Sequence, residues 1–125
     1  MTRSVIHTAD APPPAGPYSQ GVLGGGLFFT AGFGPQDPET GEVAETVGEQ
    51  TRQVLRNVEA ALKAQGLSLD DVVKVTAYLQ HLKRDFEEYN AVYGDVFAQP
   101  YPARTTVGAE LYDILVEIDV VAVAS

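Results

Sequence analysis

The chain has 125 residues with 17 acidic and 8 basic side chains, a length that fits a single domain over 1–125 and a net charge of −9 that repels phosphate backbones, so nucleic acid is not an expected partner. It has no cysteine and only two histidines, His7 and His81, which excludes disulfides, thiol nucleophiles and thiolate metal sites and leaves any chemistry to Arg, Tyr, Glu, Asp, Lys or the backbone. No apolar run approaches the ~18 residues of a membrane span, and Met1–His7 has no long apolar region of the signal-peptide kind, so a cytoplasmic protein without membrane partners is expected.

Ser4 to Thr8 reads as a short strand, followed by the proline-rich loop Ala9 to Pro17. Gly21 to Leu23 and Leu27 to Ala31 flank Gly24-Gly25-Gly26, a hairpin signal in which glycine supplies positive φ. Gly32-Phe33-Gly34-Pro35 breaks the second strand, and Asp37-Pro38-Glu39-Thr40-Gly41 is a turn stretch. Thr46 and Glu49 have capping-box spacing. Val47, Val54, Val58, Ala61 and Leu62 then recur at helical spacing until Gly66 stops the helix. Its polar face carries Arg52, Arg56, Glu59 and Lys63, the last two a favourable pair four apart.

Val72 to Leu79 is β-branched and aromatic, a strand. Strict alternation puts Val73, Val75, Ala77 and Leu79 on one face and Val72, Lys74, Thr76 and Tyr78 on the other. A second helix is predicted from about Asp85 to Ala98, with Phe86, Tyr89, Tyr93, Val96 and Phe97 as a core-facing stripe. Pro100 and Pro102 end it. Two strands follow, about Arg104 to Glu110 and Leu115 to Ala124. The order predicts an α+β fold, a single mixed β-sheet with two helices packed on one face. The last strand is apolar on both faces after Asp119, so the bare sheet face predicts burial in an oligomer rather than cover by a loop.

Two charges stand in the last strand patterns. Arg104 reads either as a strand-edge arginine snorkelling to water or as a fork that captures a carboxylate, aimed by Pro102. Glu117 shares a strand face with Asp119. That end of the strand is either solvated, or Glu117 lies near Arg104 and takes a proton from water, with Asp119 further off. Tyr18, in Gly16-Pro17-Tyr18-Ser19-Gln20, either presents a hydroxyl or anchors its loop. Asn90 bonds either a ligand or a neighbouring backbone. Gly32 and Gly34 expose backbone to a ligand or bend the strand, and form no phosphate loop.

Gly16-Pro17-Tyr18-Ser19-Gln20-Gly21, Thr30-Ala31-Gly32, Thr40-Gly41-Glu42, Tyr89-Asn90-Ala91-Val92-Tyr93, Pro102-Ala103-Arg104 and Val116-Glu117-Ile118 occur in that order. Together they resemble the reactive intermediate deaminase family (RidA, YjgF-like), formerly endoribonuclease L-PSP, over nearly the whole chain. The resemblance implies a chorismate-mutase-like fold and a homotrimer with sites between subunits. It implies a hydrolase acting on enamine or imine carboxylates of the 2-aminoacrylate type, with no metal and no cofactor. It assigns carboxylate binding to Arg104, water activation to Glu117 and further site roles to Tyr18, Asn90 and Gly32. Thr106 stands where the family often has cysteine, and is expected to keep a backbone contact to substrate. Phe33 follows Gly32 and is expected to make the pocket narrower and more apolar. The connection from Val107 to Glu117 is shorter than usual, lacks the family's leucine-proline turn, and alters the pocket rim. Two other functions are weighed: an endoribonuclease, disfavoured by charge and by the lack of a histidine pair, and a non-enzymatic, carboxylate-binding or chaperone-like trimer.

Overall fold

The computed structural model describes residues 2–124. Six strands, β1 (Ser4–Ile6), β2 (Gly21–Gly24), β3 (Leu27–Thr30), β4 (Val72–Leu79), β5 (Ala103–Gly108) and β6 (Val116–Val123), form one sheet in the order β1-β2-β3-β6-β4-β5. Only β4 and β5 pair in parallel. The helices are α1 (Val47–Ala64) and α2 (Leu82–Val96). The fold is the predicted mixed α+β layer.

Local chemistry explains most boundaries. Gly25 and Gly26 take φ of 61° and 77° and close the β2–β3 hairpin. Thr46 Oγ1 accepts from Glu49 N at 3.1 Å and donates to the Glu49 carboxylate at 2.9 Å, starting α1. Gly66, at φ 80°, ends it in a Schellman turn, with Leu67 N donating to Leu62 O and Gly66 N to Lys63 O, both at 2.9 Å. Glu59 and Lys63 form no ion pair among the described residues; Arg52 instead meets Asp95 of α2 at 3.4 Å. Helix α2 starts at Leu82 rather than Asp85, because the Asp85 amide already bonds the His81 carbonyl at 2.9 Å.

Strand β4 departs from strict alternation. A bulge between Val72 and Lys74 turns both Val72 and Val75 inward and leaves Val73 outside, 45% exposed, where alternation predicts it buried. The core lies between the helices and one sheet face. Val54, Leu55, Val58, Ala61 and Leu62 of α1 and Tyr89 and Tyr93 of α2 join Phe28, Val75, Ala77, Leu79, Val116, Ile118, Val120 and Ala122. Each fully buried side chain of this kind contributes about 1.5–3 kcal/mol. The reverse face, which we call the open face, has no helix over it. Glu117, Asp119, Val121 and Val123 of β6 alternate with the buried set. Register joins Phe29 to Val121, Leu27 to Val123, and Val5 through Val22 to Phe29. These make an apolar band that a single chain leaves partly exposed.

Candidate active site

Cross-strand register decides which charges can meet. Arg104 pairs with Val75 and Thr106 with Ala77, and both partners face the helices, so Arg104 and Thr106 lie on the helix side of the sheet. Glu117 pairs with Tyr78 and Asp119 with Thr76, on the open face. Arg104 and Glu117 of one chain therefore lie on opposite sides of the sheet. The expected nearness of Glu117 to Arg104 therefore does not arise within one chain.

Arg104 lies at the edge strand β5, under α2. Its guanidinium carbon is 4.5 Å from the Tyr93 ring centroid, 5.5 Å from that of Tyr89 and 5.9 Å from that of Phe86, within cation–π range of all three. No carboxylate pairs with it among the described residues. The Tyr89 and Thr106 hydroxyls are 3.2 Å apart. The Tyr93 hydroxyl is buried with no hydrogen-bond partner among the described residues; burial, and then neighbouring Tyr89, push its pKa up to about 12 against the pull of Arg104. Asn90 is exposed on α2, four residues after Phe86 and three before Tyr93, hence on the same helix face. The aromatic stripe read as core is core, but it also cradles the arginine. A half-buried arginine following a helix with aromatics at 86, 89 and 93 is the signal that sequence reasoning passed over.

The second cluster is on the open face. Gly32 lies so close to Glu117 that a Cβ there would sit 2.5 Å from Glu117 Oε2. Its glycine identity therefore serves close approach of a carboxylate rather than a bend. Tyr18 stands beside them, half exposed, its hydroxyl oxygen accepting from Ala15 N at 2.9 Å and its proton without an acceptor among the described residues. Tyr18, Gly32 and Glu117 line a groove of about 570 Å³ with Val22 and Phe29. They also line a second cavity of about 630 Å³ under the loops. Burial, and secondarily the like charge of Asp119, raise the Glu117 pKa above the usual carboxylate range. Burial raises Asp119 as well, opposed by the Tyr78 hydroxyl and by Lys74. Lys74 Nζ is itself held by Thr105 Oγ1 at 2.6 Å.

Phe33 lines the cavity under the loops and not the groove on the open face. Its backbone exchanges hydrogen bonds with Ile118, N to O at 2.9 and 3.1 Å, so its ring follows Ile118 to the helix side and is 4% exposed in the core. Buried amides, which sequence reasoning missed, hold the site loops. Gln20 accepts from Thr8 N at 2.8 Å and donates to Thr8 O and Pro12 O at 3.0 and 2.9 Å, pinning the loop before Tyr18. Asn57 donates to Gly34 O and Gln36 O at 2.9 and 3.0 Å, pinning the loop after Gly32. A polar residue inside the apolar stripe of α1 is the trace Asn57 leaves in the sequence. Among the described residues, no three His, Asp or Glu side chains are grouped as metal ligands, and no helix is long and apolar enough to cross a membrane.

Residues 8–124 match the family model described as Endoribonuclease L-PSP. A RutC family protein of Pyrococcus horikoshii is 46% identical, covering 96% of this chain and 97% of its own. A Salmonella typhimurium protein named 2-iminobutanoate/2-iminopropanoate deaminase is 42% identical, covering 94% of this chain and 95% of its own. The crystal structure of Escherichia coli TdcF with bound serine is similar at a TM-score of 0.92 and 39% identity, covering 98% of this chain and 99% of that one.

Proposed function

The chain belongs to the endoribonuclease L-PSP (RidA, YjgF-like) family, which includes imine deaminases, and on that premise we propose that it hydrolyses imine and enamine carboxylates of the 2-aminoacrylate type to 2-keto acids and ammonia. The observation that carries this reading is the division of the site. A stacked arginine with no carboxylate partner among the described residues lies on one side of the sheet. A proton-accepting carboxylate lies on the other, beside an uncovered apolar band. A homotrimer that covers the band brings Arg104 of one subunit to Glu117 of the next, with three such sites.

The chemistry then follows from positioning and proton transfer. Arg104 holds the substrate carboxylate bidentately, since ring stacking leaves the in-plane N–H edges of its guanidinium free. Thr106 and Asn90 flank that carboxylate. An enamine first takes a solvent proton on carbon, giving its protonated imine. Glu117 takes a proton from water as the water oxygen bonds to the imino carbon and the C=N electron pair moves to nitrogen. Tyr18, whose hydroxyl proton has no acceptor among the described residues, faces the developing amine, and the Gly32 backbone faces the substrate. The proton held by Glu117 then passes to the carbinolamine nitrogen, the C–N bond breaks with release of ammonia, and the oxygen forms the C=O bond and returns its hydroxyl proton to Glu117. No step requires a metal or cofactor.

Ammonia release from 2-iminopropionate tests the reaction. Arg104→Ala and Glu117→Gln are each expected to keep the fold and lose turnover. Co-expression of the two variants tests the division of the site: random mixed trimers should recover about a quarter of wild-type activity. Retained activity in Arg104→Ala refutes the mechanism, and absence of any recovery refutes the shared site. Tight 2-keto-acid binding without turnover of any imine would favour the carboxylate-binding alternative.

A further inference from the structure

Glu117, Tyr18 and Gly32 stand between two depressions. The groove on the open face, with Val22 and Phe29, is the one a neighbouring subunit covers in the proposed trimer. The cavity of about 630 Å³ lies within one chain, beneath the loops that precede β2 and follow β3. An imino acid has three groups on its reacting carbon: the carboxylate, the nitrogen and the side chain. With the carboxylate drawn across the groove to Arg104, and nitrogen and water at Glu117, the side chain is directed into the cavity. A methyl or ethyl group would leave it nearly empty, for spaces of ~300–1,000 Å³ hold whole small ligands.

The walls are mixed but mostly apolar: Pro12, Pro13, Phe33, Pro38 and Ile114 offer an apolar surface, with Asp37 and Glu39 on the loop beside them. Tyr112 lines the cavity from the turn between β5 and β6, and is 92% exposed. That turn is firmly held. Leu111 N donates to Gln80 Oε1 at 2.6 Å and Leu115 N to Gln50 Oε1 at 2.8 Å, while Asp113 adopts φ 59°. A fixed turn thus presents an aromatic ring at the rim of a mostly apolar cavity.

We infer that this cavity receives the substrate side chain, that Tyr112 is a specificity-determining residue at its rim, and that the preferred substrates are imines of bulky apolar or aromatic 2-amino acids. The inference rests on the assignment of Glu117 as the base. Imines of phenylalanine and alanine, generated in situ by an amino-acid oxidase, provide the comparison. The wild type is expected to favour the phenylalanine imine at least tenfold in kcat/KM. Tyr112→Ala is expected to shrink that preference roughly five- to tenfold, mainly through KM. Equal kcat/KM for the two imines, or an unchanged ratio in the variant, overturns the inference. Calorimetric binding of phenylpyruvate and pyruvate separates it from the deaminase reading. If no imine is consumed, tighter binding of phenylpyruvate that weakens in Tyr112→Ala still supports the cavity assignment, and equal affinities overturn it.

Discussion

A Cβ on Gly32 would fall 2.5 Å from Glu117 Oε2 and 3.0 Å from its Cδ, so the carboxylate rests directly on the glycine backbone. The intruding group is the free end of a side chain, so Gly32→Ala displaces Glu117 rather than unfolding the loop. A misplacement of about 1 Å costs on the order of 100-fold in rate. We expect Gly32→Ala to lower kcat by about that factor with Tm changed by no more than about 3 °C, measured by imine consumption and thermal denaturation.

The pH dependence of the reaction should carry the mark of Asp119. Glu117 faces Asp119 on its own strand, Tyr78 directly across on β4 and Tyr18 from the loop, while Lys74 acts on Asp119. Its raised pKa means that the acid limb of kcat/KM lies above the ordinary carboxylate range. Asp119→Asn removes the like charge and should move that limb to lower pH. Linkage gives the matching stability effect. Groups whose folded pKa is raised contribute stability that is present at acid pH and lost as pH rises through the folded values. Asp119→Asn should therefore flatten the fall in Tm between acid and neutral pH. A limb that stays in place would show that Asp119 does not act on Glu117.

Tyr89 is fully buried, and Thr106 is the hydroxyl partner it has, 3.2 Å away. Thr106→Val strands a buried hydroxyl and should cost about 1–3 kcal/mol. Tyr89→Phe removes the other partner. The double variant, with neither hydroxyl, should be less destabilised than the two single changes added together. Urea denaturation of the four proteins measures the coupling; strict additivity would mean that the hydrogen bond contributes nothing.

How far these features were legible from the residues depends on how local their causes are. The Thr46–Glu49 cap, the Gly66 stop and the glycine hairpin were legible because each is decided within a few residues. The bulge at Val73 was not, because no glycine or proline marks it and it exists only against β6. The start of α2 was hidden for a similar reason: His81 caps it without a side-chain bond. Arg104 and Glu117 were recognisable as unusual charges in apolar strands. Their separation to opposite faces was not, because it depends on the register of β5 and β6 against β4. The core packing of Phe33 was hidden because its bridge to Ile118 is a long-range pairing that a broken strand pattern conceals.

Arg104 lies stacked against Tyr93 and close to Tyr89 and Phe86, all three within its own chain. Its rotamers are therefore restricted when the chain folds, not when an anion arrives. A free arginine surrenders up to about 2 kcal/mol of side-chain entropy on being ordered, which binding would otherwise have to overcome. A lysine at this position would keep the charge yet lose the flat contact with the rings. It would remain a mobile cation, to be ordered again at every encounter.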